Sequence, residues 1–96
     1  MSQSQTQNVQ LGRPFKIRLP ANPSTGYSWQ VKVTPGLQIL NSYYRRSRRN
    51  AIGGAGQQVW IVRPVELGEQ GFVGWYYRPW EASTDTKPIF RLFNVL

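Results

Sequence analysis

Apolar and polar residues alternate one by one along this chain, in short stretches cut by Gly and Pro. Phe15, Ile17 and Leu19 alternate with Lys16 and Arg18. Tyr27, Trp29, Val31 and Val33 alternate with Ser28, Gln30 and Lys32. A period of two sends successive side chains to opposite faces, which describes a half-buried strand. Leu37 and Ile39 resume after the turn signal Thr34-Pro35-Gly36. Further β-branched and aromatic runs lie in 57–65, 72–77 and 89–96. No segment sustains a helical period free of Gly and Pro. The pattern predicts seven strands, at about 7–12, 14–19, 27–33, 37–44, 57–65, 72–77 and 88–95. Many short strands separated by turns make an all-β sandwich or barrel. With 96 residues, one domain over 1–96 is expected, with 1–6 as a disordered tail.

The side-chain inventory excludes most chemistry. The chain has no Cys and no His. It therefore has no disulfide, no thiolate nucleophile, and neither the commonest general base nor the commonest metal ligand. Its acids are Glu66, Glu69, Glu81 and Asp85, scattered along the sequence. No enzymatic activity, no metal and no cofactor is expected. The formal charge is +8, which points to an acidic partner or simply to solubility. No apolar stretch is long enough to cross a membrane.

The connections carry more information than the strands. If successive strands run antiparallel, alternate connections lie at opposite ends of the fold. One end receives Gly12-Arg13-Pro14, Thr34-Pro35-Gly36 and 66–71, all compact turns. The other receives 20–26, 45–56 and 78–88, which hold the unusual residues. Parity thus gathers three distinctive loops at one end, as binding loops gather on an immunoglobulin scaffold.

Each loop has two readings from local chemistry. In Asn22-Pro23-Ser24-Thr25-Gly26-Tyr27, Pro23 fixes φ, Gly26 permits positive φ, and Asn22 can close an Asx-turn. That is either a stiff binding loop with two hydroxyls at its tip or an ordinary turn. The second loop opens Arg45-Arg46-Ser47-Arg48-Arg49 and closes Gly53-Gly54-Ala55-Gly56. Its glycines let main chain lie flat against a partner. Its arginines either meet an acidic surface or simply solvate the loop. In Arg78-Pro79-Trp80, the indole is either an interface anchor or a cap on the core, with Arg78 stacked on an aromatic. Trp29, Trp60 and Trp75 lie within strand patterns and are expected in the core.

The three loop motifs, taken in order, resemble the chagasin-type family of cysteine peptidase inhibitors. That family carries an Asn-Pro-Thr-Thr-Gly-Tyr/Phe motif, a Gly-x-Gly-Gly motif and an Arg-Pro-Trp motif. Here they read Asn-Pro-Ser-Thr-Gly-Tyr, Gly-Gly-Ala-Gly and Arg-Pro-Trp, spread across nearly the whole chain. Ser24 replaces the usual Thr and keeps its hydroxyl. Ala55 replaces a Gly, where backbone would approach the partner. The Arg45–Arg49 run has no counterpart in the family pattern.

The resemblance implies an immunoglobulin-like β-sandwich that inhibits papain-like cysteine peptidases reversibly and competitively. The implied partners are papain and cathepsin L-like enzymes, met by a monomer. The implied peptidase-binding residues are Asn22, Pro23, Ser24, Thr25, Gly26, Tyr27, Gly53, Gly54, Ala55, Gly56, Arg78, Pro79 and Trp80. Ser24 and Thr25 would sit over the catalytic Cys and His. Gly53 to Gly56 would follow the non-primed side of the cleft. Arg78 and Trp80 would contact the primed side. Two rival readings predict no such inhibition: a basic nucleic-acid-binding β-domain, suggested by the charge and the aromatics, and an immunoglobulin-like adhesion module. The expected location is secreted or periplasmic if a leader was removed, and cytoplasmic or lysosomal otherwise.

Overall fold

The structure is a computed structural model that describes residues 6–46, 56–80 and 87–96. Among the described residues seven strands form: β1 (Thr6–Val9), β2 (Phe15–Ala21), β3 (Ser28–Val33), β4 (Leu37–Arg46), β5 (Gly56–Pro64), β6 (Gly68–Tyr77) and β7 (Ile89–Val95). They make two sheets, ordered β1-β7-β6-β3 and β2-β5-β4. The architecture is the all-β, immunoglobulin-like sandwich that the alternation and the motifs predict.

The alternation decides which residues fill the space between the sheets. Ile17, Leu19, Trp60 and Val62 face inward from the three-stranded sheet. Phe72, Phe93 and Val95 meet them from the other. Trp60 is 4% exposed and packs edge-on against Phe72, with ring centroids 5.4 Å apart. It also meets Trp29 at 6.3 Å, nearly perpendicular. Tilted and edge-on pairs suit the quadrupoles of the rings. Trp29 is half-buried against this core, and its Nε1–H donates to the Pro20 carbonyl at 2.9 Å.

Several expectations are corrected. β1 does not run antiparallel to a sequence neighbour. It pairs parallel with β7, with Thr6 opposite Leu92 and Val9 opposite Val95. Trp75 is not in the core. Gln70, Phe72 and Gly74 are the buried residues of β6, so parity sends half-buried Trp75 to the outer face. The turn expected over 66–71 is shorter, because β6 begins at Gly68.

The early start of β6 is hidden in sequence by the polar run Gly-Glu-Gln-Gly, whose strand propensity is poor. Its partners explain it. Gln70 is a buried polar side chain, 9% exposed. Its Oε1 accepts from the Thr34 hydroxyl at 2.6 Å and from the Gly36 N–H at 3.2 Å. The Gly71 N–H donates in turn to Thr34 Oγ1 at 3.0 Å. Thus one amide ties β6 to the β3–β4 turn, and Gly36 leaves the room it needs. Replacing Gln70 with Leu strands a buried N–H at Gly36, at a cost of about 1–3 kcal/mol. The unfolding midpoint should fall by roughly 4–8 °C for each of those kcal/mol. A thermal melt unchanged from wild type would contradict the role assigned to this amide.

Candidate functional site

The strand registers bring the loops to one level. Ala21 pairs with Gly56, and Gly56 pairs with Arg46, in one row across the three-stranded sheet. In the other sheet Ser28 pairs with Tyr77. The chain leaves both sheets at these rows, so the loop that follows β2, the connection between β4 and β5, and the loop that follows β6 emerge from the same end. The end-gathering inferred from parity is the observed arrangement.

The first loop is built around Asn22. It caps a single 3-10 turn over Pro23–Thr25. Its Oδ1 accepts from Ser24 Oγ at 2.6 Å and from the Ser24 N–H at 3.3 Å, the Asx-turn expected of this residue. Thr25 Oγ1 donates to the Asn22 carbonyl at 2.7 Å. The backbone closes with Gly26 N–H donating to the Pro23 carbonyl at 3.0 Å. Gly26 has φ +84°, a left-handed value that suits glycine. The two hydroxyls are thus engaged with the loop itself, and Pro23, Ser24 and Thr25 remain exposed at its tip.

The third loop is clamped onto the first. Arg78 Nε–H donates to the Thr25 carbonyl at 3.0 Å. The guanidinium lies 4.4 Å from the centre of the Tyr27 ring, a cation–π contact. Tyr27 stacks on Tyr76 with centroids 5.1 Å apart. The Tyr76 hydroxyl accepts the Asn22 N–H at 2.8 Å. A continuous column therefore runs Arg78–Tyr27–Tyr76 and returns to the base of the first loop. Tyr27 precedes β3 rather than opening it, which frees its ring for this column.

Trp80 completes the pair. Its indole rests over Gly26, where any β-carbon would collide with it. It is still 70% exposed, so it does not cap the core. Pro79 beside it is exposed as well.

The second loop stands partly apart. Gly53, Gly54 and Ala55 lie outside the described residues, as do Arg48 and Arg49. Gly56 is described, and it is a strand residue of β5 rather than loop. A β-carbon on it would run into the Arg45 carbonyl. Arg45 and Arg46, expected in the loop, extend β4 opposite Gln57 and Gly56. Alternation puts successive side chains on opposite faces, which separates their charges and lets the strand continue.

Tyr76 is the supporting residue the sequence reading missed. Its signal was present: it is two residues before Arg78, with the parity of Phe72 and Gly74 on the inner face of β6. Among the described residues no group of His, Cys, Asp or Glu is arranged to hold a metal.

A sandwich with three loops at one end, two of them locked together under an exposed indole, defines a loop-presenting binding domain. Residues 8–92 match the family described as Chagasin family peptidase inhibitor I42, and the chain belongs to that family. It is 31% identical over 91 residues to Amoebiasin-1 of Entamoeba histolytica, covering 94% of this chain and 89% of that protein. The fold is similar to the crystal structure of the cysteine protease inhibitor EhICP2 from Entamoeba histolytica. The TM-score is 0.81 at 20% identity, over 95% of this chain and 86% of that one. The solution structure of Amebosin is similar too, with TM-score 0.72 and 29% identity over 95% and 88% of the two chains. PbICP-C, solved in complex with falcipain-2, gives 0.68 at 19% identity over 97% and 88%.

Proposed function

We propose that this protein, acting as one inhibitor domain, blocks papain-like cysteine peptidases reversibly by seating its three-loop end in the active-site cleft. Family membership carries the inhibitor reading, supported by a relative solved in complex with falcipain-2. It favours an inhibitor over both an enzyme and a nucleic-acid-binding domain.

Ser24 and Thr25 are assigned to the position over the catalytic Cys and His. Gly53 to Gly56 are assigned to the non-primed side, and Arg78 and Trp80 to the primed side. What supports this assignment is the clamp between the first and third loops. A wedge whose parts are already bonded to one another loses little conformational entropy on docking, so more of its contact energy becomes affinity. One end of a sandwich this size can supply the roughly 800 Å² per partner of a standard inhibitor interface. The chain has no Cys, so it forms no disulfide with the enzyme's thiolate.

The mechanism of block is therefore steric. Papain and a cathepsin L-like enzyme, titrated with the protein, should lose activity competitively and regain it on dilution. An enzyme whose catalytic Cys is replaced by Ala should still bind. Activity of several such peptidases unaffected at micromolar inhibitor would refute the reading.

A further inference from the structure

The outer face of the three-stranded sheet carries positive charge along its length. Lys16 and Arg18 share that face of β2. The register sets Lys16 beside Ile61 and Arg18 beside Val59, and carries on to Asn41 and Tyr43 of β4. Gln57 and Arg45 form the next row, and Arg63 with Gln38 the row at the far end. All four cations are exposed. Val59 lies between Arg18 and Tyr43, faces away from the core and is still only 1% exposed. Long side chains such as that of Arg18 can lay their stems along such a residue and keep their charged heads in water. No acidic residue among the described ones lies on this face. Among the described residues, Glu69 belongs to the other sheet and Glu66 to the turn after β5.

The layout of the charges selects the partner. Arg63 and Arg45 are separated along the ladder by the six residues from 63 to 57, about 20 Å. Lys16 and Arg18 sit two strands away from Arg45. The cations thus spread across all three strands instead of lining one groove. A face three strands wide is too broad for the major groove, which admits a helix or a two-stranded ribbon, and recognition of single strands needs stacking platforms. Among the described residues Tyr43 is the one exposed aromatic on this face, whereas Phe90 and Trp75 lie on the outer face of the other sheet. A planar anionic surface meets all four cations at once.

We infer that this face docks the protein on anionic phospholipid bilayers, with the three-loop end at its margin left open. The inference does not rest on the proposed inhibition, because three of its four cations, Lys16, Arg18 and Arg63, lie outside the residues assigned to the cleft.

Flotation with vesicles of phosphatidylcholine containing phosphatidylserine tests it, against phosphatidylcholine alone, at low salt. The protein should float with the anionic vesicles only, and added salt should release it. The variant Lys16→Gln/Arg18→Gln/Arg63→Gln should lose roughly 100-fold in partitioning, at about a factor of five per charge near an anionic surface. A charge-matched variant, Lys32→Gln/Lys87→Gln/Arg91→Gln, should keep most of its binding. Equal losses in the two variants would mean that net charge alone acts, and would overturn the proposal. So would equal flotation with neutral vesicles, no flotation at all, or tighter binding of a single-stranded oligonucleotide abolished by the same three substitutions. Papain titration separates the two claims, since the basic-face variant should inhibit as wild type does.

Discussion

Trp80→Ala should weaken inhibition of papain by roughly 30- to 1,000-fold, the cost of truncating an interface tryptophan. It should leave the unfolding midpoint within about 4 °C of wild type, as exposed substitutions usually do. Both halves follow from where the indole sits. It is 70% exposed, and its described contact is with Gly26, a residue without a side chain. Removing it opens no cavity in the core. An indole this exposed is costly to keep in water unless a partner covers it, and here it stands beside the loop tip assigned to the cleft. Its surroundings also hold it ready. Pro79 restricts the backbone before it, and Arg78 is fixed by the Thr25 carbonyl and the Tyr27 ring. Inhibition constants and melting curves of the one variant decide the matter. Intact inhibition, or an unfolded protein, would remove Trp80 from the anchor role.

Trp60→Ala should do the reverse. Trp60 is 4% exposed in the middle strand of its sheet and packs on Trp29 and Phe72 of the facing sheet. Truncating a buried Trp costs about 3–5 kcal/mol. For a domain of this size that lowers the midpoint by about 12–40 °C. Domains this small are only marginally stable, and this one has no disulfide to fall back on. Inhibition measured well below the new midpoint should stay near wild type, because the ring contacts described for Trp60 are with Trp29 and Phe72, strand residues outside both loops. A melt within a few degrees of wild type would show that the two sheets do not depend on this ring.

The strands were legible because burial repeats every second residue. Ile17, Leu19, Val31 and Val33 are read directly from their polar neighbours. Reading failed where local chemistry and tertiary pairing disagree. Gly68 to Gly71 are polar and glycine-rich, yet they pair with β7 because Gln70 finds partners inside the fold. Arg45 and Arg46 look like loop, yet β5 supplies a ladder for them. Trp75 looks like core, and only the register reveals its outward parity. Of the candidate site, motif order and strand parity located the loops. The clamp between them was not legible, since it joins Asn22 to Tyr76 and Thr25 to Arg78 across more than 50 positions of sequence. Composition gave the charge of +8, but only the two ladders show that Lys16, Arg18, Arg45 and Arg63 share one face.

The parallel pairing of β1 with β7 has a practical side. It brings Leu96 beside Val9 and Leu11, with the Leu96 N–H on the Val9 carbonyl and the Leu11 N–H on the Leu96 carbonyl, each at 2.9 Å. Leu96 is thereby pinned at the end of β7 farthest from the loops, a strand's length of about 20 Å away. A biotin, fluorophore or bead joined there by a short linker would hang clear of the loop end and of an enzyme seated on it as proposed. The same cargo spliced between Pro79 and Lys87 would crowd it. Immobilised through Leu96, the protein would leave the loop end proposed to seat in the cleft free.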